Sequence, residues 1–211
     1  MTATRFEKRE DLFDVNSDSL IDVVMTTNGA TKVWLNLGNR TNTAGESGRG
    51  RFGNGQLNVQ GDFDSTPILS CPLYKGTFIR FSNEQVQIAD MNGDGLQDIV
   101  LVQRGDIVYW PGRGNGVFGT GSRTCSNATV GDGRHVAMGD APYFSDLSQK
   151  SVRVADVNGD KLADLVEVMA SSLRIWINEG GSTFSQSLLI ERTPQFAAFT
   201  NRLRFADMNG S

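Results

Sequence analysis

The nine residues Asp90-Met-Asn-Gly-Asp-Gly-Leu-Gln-Asp98 carry oxygen side chains at positions 1, 3, 5 and 9, namely Asp90, Asn92, Asp94 and Asp98. Carboxylates crowded into so short a stretch repel one another unless a cation stands between them. Ca²⁺ takes six to eight oxygen ligands in irregular geometry, so it suits this donor set. Gly93 and Gly95 supply the tight backbone that lets alternate side chains converge. Leu96, at position 7, offers its backbone carbonyl and sends its side chain towards a core. The competing reading is an Asx-turn with glycine, a common connection between strands that needs no metal.

The pattern recurs. Asp156, Asn158, Asp160 and Asp164 repeat it around Leu162, and Asp14, Asn16, Asp18 and Asp22 repeat it around Leu20. A fourth copy opens at Asp207 and Asn209. The starts lie 76, 66 and 51 residues apart, which indicates a repeat architecture with one supersecondary unit per period. The copies at Asp90 and Asp156 are expected to hold Ca²⁺, the second of them less tightly because Lys161 replaces a glycine and adds positive charge. The copy at Asp14 has Ser17 and Ser19 in the glycine positions and is expected to be weaker or empty.

Stepping outward, each loop is followed by strands. Leu20–Met25 and Lys32–Leu37 flank Asn28-Gly29, the strongest short hairpin signal. Val86–Ala89, Asp98–Gln103, Ile107–Trp110 and an outer strand over Arg134–Met138 make the second unit. Val152–Ala155, Asp164–Val168, Leu173–Ile177 and Leu188–Ile190 make the third. No segment shows sustained helical periodicity, so the expected fold is all-β, with antiparallel strands grouped as β-propeller blades. The blade units run over about 12–71, 86–138 and 152–190, with a further start at 203–211. A polar insertion, Gly38–Gly55, lengthens the first unit.

The aromatic residues keep the same phase. Trp34, Trp110 and Trp176, the only tryptophans, each lie 20 residues after a loop start. Each is expected to fill the same core niche in its unit. Phe118 and Phe184 each lie 28 residues after theirs, and Phe52 is their counterpart, displaced by the insertion.

Composition narrows the classes. Lys plus Arg is 20 and Asp plus Glu is 24, a net charge of −4, which argues against a nucleic-acid binder. No apolar run approaches the ~18 residues of a membrane span. The N-terminus lacks the apolar core of a signal peptide. Cys71 and Cys125 fall at different phases of the repeat, and whether they pair is left open.

Other motifs are absorbed by the repeat. An EF-hand needs Gly at position 6, Glu at position 12 and flanking helices, and the three loops do not meet these requirements together. Arg104-Gly-Asp106 is read as a hairpin turn, and Gly114–Gly119 matches G-x-G-x-x-G without a following helix. Asn39 and Asn127 sit in fortuitous glycosylation sequons, and His135, the only histidine, has no nucleophile elbow or zinc-type cluster around it. No catalytic constellation is visible, and the expectation is a non-enzyme.

The loop D-x-N-G-D-G-x-x-D followed by a strand and a later Phe-Gly resembles the FG-GAP/VCBS repeat of integrin-α-like β-propellers. The series IADMNGDGLQDIVLV, GDIVYWPGRGNGVFG, VRVADVNGDKLADLVEV and LRFADMNGS is similar to the TcdB middle/N-terminal, SpvB-like propeller segment of insecticidal toxin-complex B subunits and YD-repeat proteins. That resemblance implies a secreted, extracellular, calcium-binding interaction scaffold. It implies a protein partner, or further blades that complete the propeller, because a ring closes with four to eight blades. Self-association through open blade edges is the related expectation. A carbohydrate-binding, lectin-like propeller and a non-catalytic piece of a propeller-fold lyase or hydrolase are the alternatives.

Overall fold

A computed structural model describes residues 10–27, 30–120, 134–144 and 151–195. Among these, every regular element is a β-strand. The chain divides into two compact units. One contains the described residues up to Val86 together with those of Trp110–His135, and the other contains those of Gln87–Tyr109 and from Val136 onward.

In the first unit, β1 (Glu10–Phe13), β2 (Asp22–Thr26) and β3 (Thr31–Asn36) form an antiparallel sheet. Both β4 (Phe52–Gly53) and β5 (Ile68–Ser70) add to β3. Burial alternates along β2 and β3, as the period of two requires when one face packs inward. Val24 and Val33, paired across the ladder, are fully buried. The β2–β3 hairpin closes with Thr27 N–H donating to the Ala30 carbonyl at 2.9 Å. The expected turn residues Asn28 and Gly29 lie outside the described residues, as does the fourth loop start at Asp207. A second hairpin, β6 (Leu73–Tyr74) and β7 (Thr77–Phe78), turns at Lys75 and Gly76, both left-handed, as a type I′ turn demands. Cys71, just before it, is disulfide-bonded, and the sequence's other cysteine, Cys125, lies outside the described residues.

In the second unit, apart from the terminal residues Val86 and Trp110, β8 (Val86–Ala89), β9 (Asp98–Gln103), β10 (Asp106–Trp110) and β11 (Val136–Ala137) form one antiparallel sheet in the order β11-β10-β9-β8. Strands β12 (Val152–Ala155), β13 (Asp164–Val168), β14 (Ser172–Trp176) and β17 (Leu188–Glu191) form another. The short ladder β15 (Asn178–Glu179) with β16 (Thr183–Phe184) follows β14. The sheets share a core of Val100, Val102, Tyr109, Leu165, Trp176 and Phe184. A separate cluster of Val166, Val168 and Ile175 lies apart from it. Strand β13 is therefore buried along its whole length, and its run of branched residues reads as continuous where β2 alternates.

Strands β3, β14 and β17 shift or extend by one residue from expectation, and three further limits differ for a local reason. Leu20 and Ile21 belong to the loop, because a left-handed residue at Ser19 delays the start of β2 to Asp22. The outer strand expected over Arg134–Met138 contracts to β11, because only Val136 and Ala137 find partners on β10. The hairpin at Arg104-Gly105 is present, with Gly105 left-handed, and β10 starts at Asp106.

The aromatic phase has a structural basis. Trp34 stands opposite Val23, and Trp176 opposite Leu165, at the same register of their sheets. Trp110 and Trp176 are buried, but Trp34 is only half-buried and donates its indole N–H to the Ser65 carbonyl at 3.2 Å. Asn36 pairs with Phe52, Gly112 with Phe118 and Asn178 with Phe184, so Phe52 is the register counterpart of the other two. Phe118 is buried in the first unit beside Phe13, with ring centroids 6.5 Å apart, and Phe184 is buried in the second. Phe52 remains 38% exposed.

Candidate metal centre

The three loops adopt one backbone. Positions 4 and 6 are left-handed in all of them: Gly93 and Gly95 in the second, Gly159 and Lys161 in the third, Ser17 and Ser19 in the first. Left-handed φ is costly for any residue with a Cβ, so Ser17, Ser19 and Lys161 are held there by the loop's hydrogen bonds. The carboxylate at position 1 is the centre of these bonds. Asp90 Oδ1 accepts Gly93 N–H at 2.7 Å and Oδ2 accepts Gly95 N–H at 2.8 Å. Asp156 takes Gly159 and Lys161 N–H in the same way, at 2.7 and 2.9 Å. Asp14 takes Ser19 N–H at 2.7 Å on one oxygen, and those of Asn16 and Asp18 at 3.3 and 3.2 Å on the other.

Positions 3 and 5 touch each other. The amide Nδ2 of Asn16, Asn92 and Asn158 lies 3.0, 3.0 and 2.8 Å from a carboxylate oxygen of Asp18, Asp94 and Asp160. The other oxygen of each aspartate accepts the N–H of the leucine at position 7, at 2.9 Å for Leu20, 2.9 Å for Leu96 and 2.8 Å for Leu162. Those leucines are half-buried. A Cβ built on Gly93 would lie 3.2 Å from Leu162 Cδ2.

Position 9 is placed differently. Asp22, Asp98 and Asp164 are fully buried. Asp164 Oδ2 accepts Val157 N–H at 3.0 Å and Oδ1 accepts Asn178 N–H at 2.8 Å. Asp22 binds Val15 and Asn36 N–H at 2.9 and 2.7 Å, and Asp98 binds Met91 N–H at 2.8 Å. Burial pushes the Asp22 and Asp164 carboxyls above the usual carboxylate range, and the two backbone amides on each pull back. The negative charges at positions 5 and 1, Asp18 with Asp14 and Asp160 with Asp156, push them up further.

The donor set fits Ca²⁺ by type: carboxylate and amide oxygens within one short loop. An oxygen that accepts one amide N–H keeps a second lone pair for a cation. In the first loop, one Asp14 oxygen already accepts two N–H groups, which leaves it less to offer. Among the described residues, no group of three or more Asp, Glu, His or Cys side chains is placed to hold a metal ion.

The profile of FG-GAP-like repeats matches residues 90–141, from the first aspartate of the second loop to just beyond β11. This stretch is similar to FG-GAP-like repeats. The loop at Asp156, outside the matched stretch, reproduces its hydrogen bonds to the position-1 carboxylate, and the loop at Asp14 shares the bond from position 6. No curated protein sequence matches the chain. Among solved structures, the Photorhabdus luminescens Tc holotoxin pore aligns over 88% of this chain at 17% identity, with a TM-score of 0.57. A TcdB2-TccC3-Cdc42 complex aligns over 87% at 14% identity and a TM-score of 0.44. An Agrocybe aegerita lectin that recognises terminal N-acetylglucosamine aligns over 91% at 17% identity and a TM-score of 0.39. The chain spans 7% of the holotoxin chain and 12% of the TcdB2-TccC3 chain. No helix among the described residues is long and apolar enough to cross a membrane.

One residue important to the loops escaped the sequence reading. Asn178 is buried, and its side chain holds Met91, Ala163 and Gly181. Its signal was present: Asn36 and Asn178 both lie 22 residues after a loop start, where the FG-GAP-like repeat has Gly112.

Proposed function

We propose that this chain is a non-enzymatic scaffold segment, made of FG-GAP-like propeller blades stiffened by Ca²⁺, within a secreted toxin-complex-like protein. The observation that carries it is the shared loop backbone, kept left-handed at positions 4 and 6 even where serine or lysine must bear the strain. The donors are Asp90, Asn92, Asp94, Asp98 and the Leu96 carbonyl, and Asp156, Asn158, Asp160, Asp164 and the Leu162 carbonyl. The loop at Asp14, with Asn16, Asp18, Leu20 and Asp22, holds the ion most weakly. A bound divalent cation neutralises the carboxylates whose mutual repulsion otherwise strains the loop. The residues themselves fix the turn from which each blade's buried strand starts. A disulfide at Cys71 suits an oxidising compartment. Exposed Leu188, Leu189 and Ile190 on edge strand β17 suit a further blade or protein partner. Trp110 and Trp176 are buried, so neither offers the open stacking face a sugar needs.

Thermal unfolding in calcium and in chelator tests the metal reading. A ligand at 100 times its Kd, binding only the folded state, adds about 2.7 kcal/mol. Equal midpoints in the two buffers remove calcium from the proposal. Capture of toxin-complex components in solution tests the scaffold reading, and saturable glycan binding would replace it.

A further inference from the structure

The connection between β3 and β5, residues 37–67, holds only the two residues of β4 as regular strand. Connections longer than about 12–15 residues without secondary structure of their own are usually either functional or disordered. This one is ordered by its own backbone. Asn42 and Asn58 N–H donate to the Glu46 and Asp62 carbonyls at 3.0 and 2.8 Å, closing two tight turns, and Thr43 N–H donates to the Gly61 carbonyl at 3.0 Å, tying the turns together. Leu57 and Val59 stay 45% and 96% exposed, so the order does not come from a core of their making.

The same connection walls a cleft of about 680 Å³ within the first unit, inside the roughly 300–1,000 Å³ usual for a ligand site. Arg40, Gln56 and Asn115 line it with side-chain N–H donors, and Leu57, Pro67 and Ile68 line it with apolar surface. Among the described residues Arg40 makes no ion pair. Its Nη1 donates to the Gly55 carbonyl at 3.1 Å, which leaves most of its N–H groups for a ligand. Gly55 is left-handed, and a Cβ there would come within 2.5 Å of that guanidinium, so the missing side chain is what makes room for Arg40. Asn115 spends its Oδ1 on Val117 N–H at 3.2 Å, and Gln56 is held by its backbone N–H, which donates to Asn54 Oδ1 at 2.8 Å. The acid of the cleft is already engaged: Asp64 accepts Thr66 N–H at 2.9 Å and Asn54 Nδ2 at 2.8 Å. Bonds from Thr66, then from Asn54, hold its carboxyl below the ordinary range. No aromatic ring lines the cleft among the described residues, so a sugar would lack a stacking face there.

We propose that this cleft takes an extended peptide segment of a protein partner, one that carries an acidic side chain next to an aliphatic one. The carboxylate meets the Arg40 guanidinium, a pairing whose planar fork favours two parallel hydrogen bonds. The carboxamides of Gln56 and Asn115 donate to peptide carbonyls, and the aliphatic side chain packs on Leu57, Pro67 and Ile68. The inference rests on the scaffold reading in taking the partner to be a protein, and it is independent of calcium.

The test is a selection of random heptapeptides, displayed on phage, against the whole chain in chelator, followed by titration of the enriched sequence as a synthetic peptide. The enriched sequences are expected to carry Asp or Glu beside Leu, Ile or Val. Arg40→Gln is expected to weaken the synthetic peptide by at least about tenfold, the loss of a hydrogen-bonded charge, and Leu57→Ser is expected to weaken it as well. No enrichment, enrichment without acidic residues, or wild-type affinity in Arg40→Gln overturns the inference. So does binding of an oligogalacturonate where no peptide binds, which assigns the cleft to an acidic sugar. If the selection fails while toxin-complex components are still captured, the cleft falls and the scaffold reading stands. If Arg40→Gln does not fold, Leu57→Ser, at an exposed position, decides alone.

Discussion

Substituting Asp164 and Asp160 separately divides the loop's structural role from its metal role. Asp164 is fully buried and accepts two backbone N–H groups, at 3.0 and 2.8 Å, joining the start of its loop to the chain just after β14. Hydrogen bonds to a charged acceptor contribute about 1.5–3 kcal/mol each, so the pair contributes roughly 3–6 kcal/mol. Burial, which raises the Asp164 carboxyl above its ordinary range, offsets part of this. Asp164→Ala is therefore expected to cost about 2–4 kcal/mol in chelator, where no cation contributes. For a chain of this length that lowers Tm by about 5–15 °C. Asp160→Ala removes an exposed carboxylate and is expected to cost less than about 1 kcal/mol in chelator. On the proposed calcium reading both variants also lose the cation's stabilisation in calcium, since both residues are proposed donors, so the two roles are separated by the values in chelator. Urea unfolding at pH 7 in both buffers measures all four values. Asp164→Ala within about 0.5 kcal/mol of wild type in chelator would refute the clamp. Equal losses for the two variants in chelator would refute the division of roles.

Two further outcomes follow from single residues. Lys161 is left-handed at φ 74° in the position where the second loop has glycine, so Lys161→Gly is expected to stabilise the chain by about 0.5–1 kcal/mol in chelator, read by urea unfolding; a loss of stability would show that the lysine side chain compensates for its backbone. Tyr109 donates its hydroxyl to the Gly181 carbonyl at 2.9 Å, and burial, with Asp98, Asp94 and Asp90 nearby, pushes its phenol up to about 12. The unfolded chain releases that proton near 10 and the folded chain does not, so stability should fall by about 2–3 kcal/mol as pH rises from 10 to 12. Ultraviolet difference titration of wild type against Tyr109→Phe in chelator should place the missing transition near 12, and a transition near 10 would contradict the buried hydroxyl.

The repeat was legible because its residues answer to constraints set within a few neighbours. The spacing of Asp90, Asn92, Asp94 and Asp98 marks a loop, and the strands on either side carry their own period. Trp34, Trp110 and Trp176 hold one phase because each follows its loop at a fixed distance along one sheet. Burial was less legible. Trp34 and Trp176 share a register but not an environment, and Phe52 is exposed where Phe118 and Phe184 are buried. Register is a property of the hairpin, whereas burial depends on what packs against it. The role of Asn178 was hidden for a related reason: its partners Met91 and Ala163 lie in two loops, 87 and 15 residues away.

The backbone of the first loop shows which part of the motif the fold depends on. Ser17 and Ser19 cost that loop both glycines, yet positions 4 and 6 stay left-handed. Asp14 still gathers the loop amides, and Asp22 still ties Val15 to Asn36. Two left-handed serines cost roughly 2–4 kcal/mol together. A loop needed only for metal would have relaxed that strain once its donors weakened. The carboxylates at positions 1 and 9 are enough to hold the turn, because each accepts backbone N–H groups that would otherwise lack partners at the start of a buried strand. Glycine at positions 4 and 6 then lowers the cost of a turn the aspartates already require. The left-handed turn at positions 4 and 6 is thus common to all three loops, and the residues that occupy those positions are where they differ.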